Sequence, residues 1–120
     1  MPLLRLAKTG FRFNALHALA DDDGYDRHLH GHDYELTVMV EGERGEGGML
    51  YDLRELKPLV EREILVRLDH TDLGAILPNP TLEALAEWIW RQLRPALPAR
   101  LRLGLQLWET RSIYLEFWGT

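Results

Sequence analysis

The chain begins and ends with segments in which hydrophobic and polar residues alternate, a period of two that is typical of β-strands. The first two such segments predict strands over residues 3–19 and 28–42, the first of them bulged at Gly10. The alternation returns at residues 101–107 and 113–117, which predicts two further half-buried strands.

Between the two pairs of strands, hydrophobic residues recur with helical spacing. A first helix is predicted over residues 57–67, because Pro58 fits only near the start of a helix. A second helix is predicted to begin after Thr81, as its N-cap, and to end at Pro95. The predicted buried stripes are Leu56, Leu59, Val60, Ile64 and Leu68 in the first helix, and Leu82, Leu85, Ala86, Ile89 and Leu93 in the second.

This order of two strands, two helices and two strands predicts an α+β fold. The expected architecture is a four-stranded antiparallel sheet with both helices packed on one face. We expect a single domain over residues 1–120, because this length supports one modest core. A small sheet of this kind leaves open edges, so homo-oligomerisation through them is also expected.

Composition narrows the class of protein. The chain is 46% hydrophobic and 28% charged, as globular proteins are. It has neither a long apolar run nor a signal-peptide pattern, so we expect a cytoplasmic protein that does not contact membranes. The net charge of −5 argues against a nucleic-acid partner. The absence of cysteine excludes disulfides, thiolate metal ligands and a cysteine nucleophile.

Histidines at every second position are the strongest candidate for chemistry. On a strand, His30 and His32 would face the same side, where they could share a metal ion. His17 shares one face of the first strand with Phe11, Phe13 and Ala15, and it could join them if the two strands are neighbours. Three nitrogen ligands would leave a fourth zinc position open, as catalytic zinc sites require. His28 has the same parity, so it could be a fourth ligand or could face solvent where the strand begins.

Two further groups of polar residues could carry chemistry. Glu109 continues the apolar register of the third strand, so its carboxylate could accept two hydrogen bonds from a guanine-like heterocycle, or it could lie in water at a frayed end. Asp69 precedes His70, and an acid beside an imidazole can orient the ring and raise its basicity. Adjacent residues of a strand face apart, so this pair requires a loop.

Six short motifs follow one another in order along nearly the whole chain. They are Phe13-x-Ala15-x-His17, His30-Gly-His32-x-Tyr34, Gly48-Met-Leu-Tyr-Asp52 with Leu56-Lys57, Leu68-Asp69-His70, Pro80-Thr81-x-Glu83 and Glu109-Thr110. Each motif is weak alone. Together the chain resembles the 6-pyruvoyl-tetrahydropterin synthase and 6-carboxy-tetrahydropterin synthase family.

This resemblance implies the tunnelling fold, in which each subunit is a ββααββ unit. Three subunits close a twelve-stranded barrel, and two trimers commonly stack as a hexamer. The resemblance also implies a Zn²⁺ ion held by His17, His30 and His32.

The resemblance further implies roles for residues outside the histidine cluster. Glu109 would anchor the pterin ring, with Thr81 and Glu83 nearby, in a pocket between subunits. Asp69 and His70 would act as a proton-transfer pair by reaching the site of a neighbouring subunit.

The activity implied by the resemblance is that of a zinc-dependent lyase acting on 7,8-dihydroneopterin triphosphate. We expect 6-carboxy-5,6,7,8-tetrahydropterin as the product, formed with loss of acetaldehyde, on the way to deazapurines such as queuosine. The alternatives are 6-pyruvoyl-tetrahydropterin, formed by triphosphate elimination, 6-hydroxymethyl-dihydropterin, and a zinc protein that binds a pterin or purine without turnover.

One departure from the family pattern concerns the catalytic base. Family enzymes that make the carboxy or pyruvoyl product carry a cysteine four residues before His-Gly-His, where this chain has Asp26. A subgroup that makes the hydroxymethyl product has a glutamate three residues before the motif, where this chain has Arg27. An unperturbed aspartate is less basic than a thiolate by about 4.6 pKa units, or about 6 kcal/mol. We therefore interpret Asp26 as a base or acid of altered efficiency, with His70 as the alternative.

Overall fold

Five strands form a single sheet in the computed structural model, which describes residues 2–19 and 28–120. They are β1 (Leu4–His17), β2 (His30–Gly42), β3 (Thr71–Asp72), β4 (Arg102–Trp108) and β5 (Tyr114–Trp118). Their order across the sheet is β3-β1-β2-β4-β5.

The four long strands pair antiparallel, which confirms the predicted sheet. The sheet differs from the prediction by β3, which pairs parallel with β1 at Ala15 and Leu16. Two residues are too few to produce a hydrophobic pattern, so this strand could not be predicted. The predicted bulge is confirmed, because the β1–β2 register shifts between Lys8 and Phe11 and Gly10 has a φ of 88°.

The first helix starts earlier than predicted. Helix α1 (Leu53–Val60) continues through a π-helical stretch, Glu61–Leu65, into α2 (Val66–Leu68). Pro58 lies inside α1, so the prediction of a start at residue 57 was wrong. The start is set instead by Asp52, whose carboxylate accepts a hydrogen bond from the backbone N–H of Arg54 at 3.0 Å and so caps the helix.

The second predicted helix is confirmed. Helix α3 (Leu82–Leu93) has Thr81 as its N-cap, with Oγ1 accepting a hydrogen bond from the backbone N–H of Ala84 at 3.1 Å. A short 3₁₀ turn that contains Pro95 follows the helix.

The core lies between one face of the sheet and the helices. Both predicted helical stripes are buried there except for Leu82, which is partly buried. The buried face of β1 runs through Phe11, Phe13 and Ala15 to His17, which is 1% exposed. The histidine therefore ends a row of core residues, and it lies at the edge of the core rather than on the open surface.

Both edges of the sheet carry unpaired backbone. Within the described ranges, β5 pairs only with β4, and the outer side of β1 pairs only with the two residues of β3. In the part of the chain that the structure describes, no helix is both long and apolar enough to cross a membrane.

Candidate functional site

Three histidine side chains meet where β1 ends and β2 begins. His17 pairs directly with His30, and His32 pairs with Ala15, so all three imidazoles lie on the helix-covered face. One ring nitrogen of each lies within 4.8 Å of the others, and the Nε2 atoms of His17 and His30 are 3.0 Å apart. The convergence expected from strand parity is therefore present in the structure.

Backbone carbonyls determine which ring nitrogens carry protons. His17 Nδ1 lies 3.0 Å from the carbonyl oxygen of Pro80, and His30 Nδ1 lies 2.7 Å from that of His28. A carbonyl oxygen can only accept a hydrogen bond, so both Nδ1 atoms must donate. In the neutral rings, lone pairs then face each other from the two Nε2 atoms. Two lone pairs 3.0 Å apart repel unless a cation lies between them.

This arrangement fits a metal ion of the zinc class. Neutral imidazole nitrogens suit zinc, and three of them leave a further coordination position. A metal-bound histidine commonly donates its other ring N–H to a backbone carbonyl, as His17 and His30 do here.

His28 contributes its backbone rather than its ring. Its side chain is exposed, and its carbonyl accepts the hydrogen bond from His30. Over the described residues, the group that could hold a metal contains His17, His30 and His32 alone. The cluster is thus the one formed by three histidines, without the His28 ring.

Glu109 lies against the histidines and not in open water. It directly follows β4, and its backbone N–H donates to the carbonyl of Ile113 at 3.0 Å. Its Oε1 atom is 3.4 Å from His32 Nε2 and 3.6 Å from His17 Nε2, and the side chain is 22% exposed. The carboxylate of Glu109 therefore lies directly beside the ring nitrogens of His17 and His32.

The start of α3 is joined to the cluster through Pro80, whose carbonyl accepts from His17. Thr81 follows directly and is half-buried, with its hydroxyl engaged in the helix cap. Glu83 lies in the first turn of α3 and is exposed. Thr81 therefore directly follows the residue that contacts His17, while the Glu83 side chain is exposed.

Asp69 and His70 form a separate pair along the outer side of β1. Asp69 Oδ1 accepts a hydrogen bond from the backbone N–H of Asn14 at 2.8 Å, and the His70 backbone N–H donates to the Asn14 carbonyl at 2.6 Å. His70 has a φ of 59°, which ends the extended geometry and brings its Nε2 to 3.5 Å from Asp69 Oδ2. Adjacent residues of a strand face apart, but this turn lets the Asp69 and His70 side chains approach each other.

An open cleft of about 730 Å³ adjoins this pair. Asp69 and His70 line it together with Arg12, Trp108 and Arg111. The His70 side chain is 83% exposed, so it is available to a group outside this chain.

Tyr34 is a site residue that the sequence reasoning missed. Its hydroxyl lies 3.3 Å from His17 Nδ1, and its side chain is 1% exposed. Burial raises the pKa of Tyr34, and the nearby negative charge of Glu109 raises it further, so the hydroxyl keeps its proton. The available signal was its parity, since Tyr34 shares the face of His30 and His32.

Asp26 and Arg27, where the sequence departs from the family pattern, lie outside the described residues. The same holds for the acidic residues 21–23 that precede them.

A family model described as 6-pyruvoyl tetrahydropterin synthase matches residues 6–120. The chain belongs to the 6-pyruvoyl tetrahydropterin synthase family. The resemblance inferred from the six motifs is thereby confirmed, and it extends over nearly the whole chain.

Relatives with three different activities resemble the chain to a similar degree. A dihydroneopterin monophosphate aldolase of Pyrococcus furiosus is 38% identical over 87% of this chain and 89% of that protein. A 6-carboxy-5,6,7,8-tetrahydropterin synthase of a Synechocystis species is 37% identical over 72% of each. A 6-pyruvoyl tetrahydrobiopterin synthase of Poecilia reticulata is 37% identical over 75% of this chain, but the match spans only 65% of that protein. Membership of the family therefore leaves the reaction open.

The fold agrees with that of the family. The solved structure of 6-pyruvoyl tetrahydropterin synthase from Caenorhabditis elegans has a TM-score of 0.85 at 25% identity, and the match covers 100% of this chain and 98% of that chain. The predicted fold class is therefore confirmed, with β3 as an addition.

We expect the His30→Ala variant to lose bound zinc, because it removes one of three converging nitrogens. The matched control is His28→Ala, which keeps the backbone carbonyl that orients His30 and should retain zinc. Metal analysis after dialysis of both variants measures the difference. Full zinc occupancy in His30→Ala would count against this metal centre.

Proposed function

We propose that this protein is a zinc-dependent lyase that cleaves a carbon–carbon bond in the side chain of phosphorylated 7,8-dihydroneopterin. The proposed products are 6-hydroxymethyl-7,8-dihydropterin and a phosphorylated glycolaldehyde. The observation that carries this proposal is the similarity to the Pyrococcus furiosus aldolase, which extends over nearly the full length of both chains.

The lack of cysteine supports this choice of reaction. In a retro-aldol cleavage, a base removes the proton from the hydroxyl on the second side-chain carbon. The bond between the first and second carbons then breaks, its electrons pass into the C=N bond of the ring, and the first carbon takes up a proton. A hydroxyl proton is easier to remove than one on carbon, so a carboxylate or an imidazole can serve where a thiolate is absent.

In this proposal, His17, His30 and His32 hold the zinc ion. When bound, zinc supplies Lewis acidity that polarises the side-chain oxygens of the substrate. Burial of the His17 ring and the carbonyl acceptors behind two of the ligands support this role, since both keep the ring nitrogens directed at one point.

Glu109 is the proposed anchor of the pterin ring. An ionised carboxylate can accept two parallel hydrogen bonds from the ring N–H and the exocyclic amino group of a pterin. The partly exposed position of Glu109 beside the histidines supports this assignment, because a ring held there would place its side chain near the metal. We assign Thr81 and Glu83, at the start of α3, to the surroundings of the same ring.

The proposed proton-transfer groups are Asp26 and the Asp69–His70 pair. Asp26 would act as base in the position of the family's cysteine, and His70, oriented by Asp69, would return the proton. We propose that Asp69 and His70 serve the site of a neighbouring subunit in a trimer or hexamer. Their location on the open side of β1 and the exposure of His70 support this arrangement.

A second candidate is the formation of 6-carboxy-5,6,7,8-tetrahydropterin from 7,8-dihydroneopterin triphosphate. The Synechocystis relative favours it. Formation of 6-pyruvoyl-tetrahydropterin, and pterin binding without turnover, remain as further alternatives. The replacement of the family's cysteine by Asp26 weighs against both synthase reactions.

Incubation of the zinc-loaded protein with 7,8-dihydroneopterin monophosphate, and separately with the triphosphate, tests the proposal by mass spectrometry of the products. We expect 6-hydroxymethyl-7,8-dihydropterin, because the retro-aldol step needs no thiolate. A 6-carboxy product with acetaldehyde would contradict the proposed aldolase reaction and support the second candidate. Tight binding of unchanged substrate would instead identify a pterin-binding protein.

We expect Glu109→Gln to weaken pterin binding by about a hundredfold, since hydrogen bonds to a charged group contribute about 1.5–3 kcal/mol each. Zinc content should not change. The matched control is Glu87→Gln on the exposed face of α3, which should bind the pterin normally. Calorimetric titration with dihydroneopterin measures the pterin affinity of both variants. Normal binding by Glu109→Gln would show that Glu109 does not anchor the pterin ring.

We expect Asp26→Asn to lower kcat by about 10²- to 10⁴-fold, the usual loss when a general base is removed. Pterin affinity and zinc content should be retained. Asp22→Asn, from the same acidic segment, is the matched control and should keep full activity. An unchanged kcat in Asp26→Asn would transfer the role of base to His70, which His70→Gln tests in the same assay.

A further inference from the structure

We infer that Tyr34 is a positioning residue for the metal ligand His17. Together with the Pro80 carbonyl, the Tyr34 hydroxyl holds the His17 ring in the tautomer and orientation that direct Nε2 toward His30 and His32. The inference rests on the proposed three-histidine metal centre but not on the identity of the reaction.

The His17 N–H is shared between two oxygen atoms. Nδ1 lies 3.0 Å from the Pro80 carbonyl and 3.3 Å from the Tyr34 hydroxyl. Because the carbonyl requires Nδ1 to be the donor, the hydroxyl oxygen is a second acceptor for the same proton. Both His17 and Tyr34 are 1% exposed, so water does not compete for this contact.

Packing fixes the hydroxyl in place. The Tyr34 ring stacks on Phe13, with centroids 5.0 Å apart and 12° between the ring planes. Its edge meets the ring of His32 at a centroid distance of 5.7 Å. Tyr34 therefore contacts two of the three ligands, and its hydroxyl cannot move away from His17 without disturbing the stack.

Such a contact should act on metal affinity more than on folding. A metal ion on Nε2 withdraws electron density from the imidazole and makes Nδ1–H a stronger donor. The hydrogen bond to the hydroxyl is then stronger in the metal-bound protein than in the metal-free one. A group that stabilises only the bound form raises metal affinity, and loss of such a partner typically costs 10- to 100-fold.

The Tyr34→Phe variant tests the inference, because it removes the hydroxyl and keeps the ring that stacks on Phe13. We expect its zinc dissociation constant, measured by competition with a chromogenic chelator, to rise about tenfold. The melting temperature of the metal-free protein should stay close to that of the wild type. Tyr51→Phe is the matched control. Tyr51 is partly buried but lies away from the histidines, in an apolar cleft with Leu4 and Met49, so the zinc affinity of this variant should not change.

An unchanged zinc affinity in Tyr34→Phe would overturn the inference. So would a loss of metal-free stability without any loss of affinity, because that result describes a structural role alone. A wild-type protein that binds no zinc would overturn the metal centre itself, and with it the inference. Zinc binding by the wild type with no turnover of either dihydroneopterin phosphate would leave the inference standing while the proposed reaction failed.

Discussion

The pairing of His17 with His30 is the constraint on which the candidate site depends. The two residues stand opposite each other at the end of β1 and the start of β2, and His32 follows on the same face. A shift of the register by one residue would send His30 and His32 to the opposite face of the sheet, away from His17. The packed core beneath β1 and β2 prevents that shift, so the stability of the sheet and the geometry of the site have the same origin.

Much of this arrangement could be predicted from the sequence, because strand parity alone places His17, His30 and His32 on one face and directs Glu109 toward them. What could not be predicted depended on the local conformation of single residues. The Asp52 cap moved the start of α1, and the left-handed backbone of His70 turned it toward Asp69. Neither leaves a periodic signal in the sequence.

The candidate site residues differ in how the fold holds them. The histidine cluster and Glu109 belong to the rigid ends of paired strands, where the core determines their positions. One of the groups proposed to move protons, His70, lies at an exposed turn. Relatives that resemble the chain to a similar degree carry three different named activities.

The bulge at Gly10 determines which side of the sheet His17 faces. Before it, the even-numbered residues Leu6 and Lys8 stand opposite core-facing residues of β2, and after it the odd-numbered Phe11 does. One extra residue in β1 thus reverses the odd–even phase of everything downstream. If the same residues continued as an unbroken strand without the bulge, His17 would face the opposite side of the sheet. The side of the sheet that His17 faces is therefore encoded seven residues away, at a single glycine.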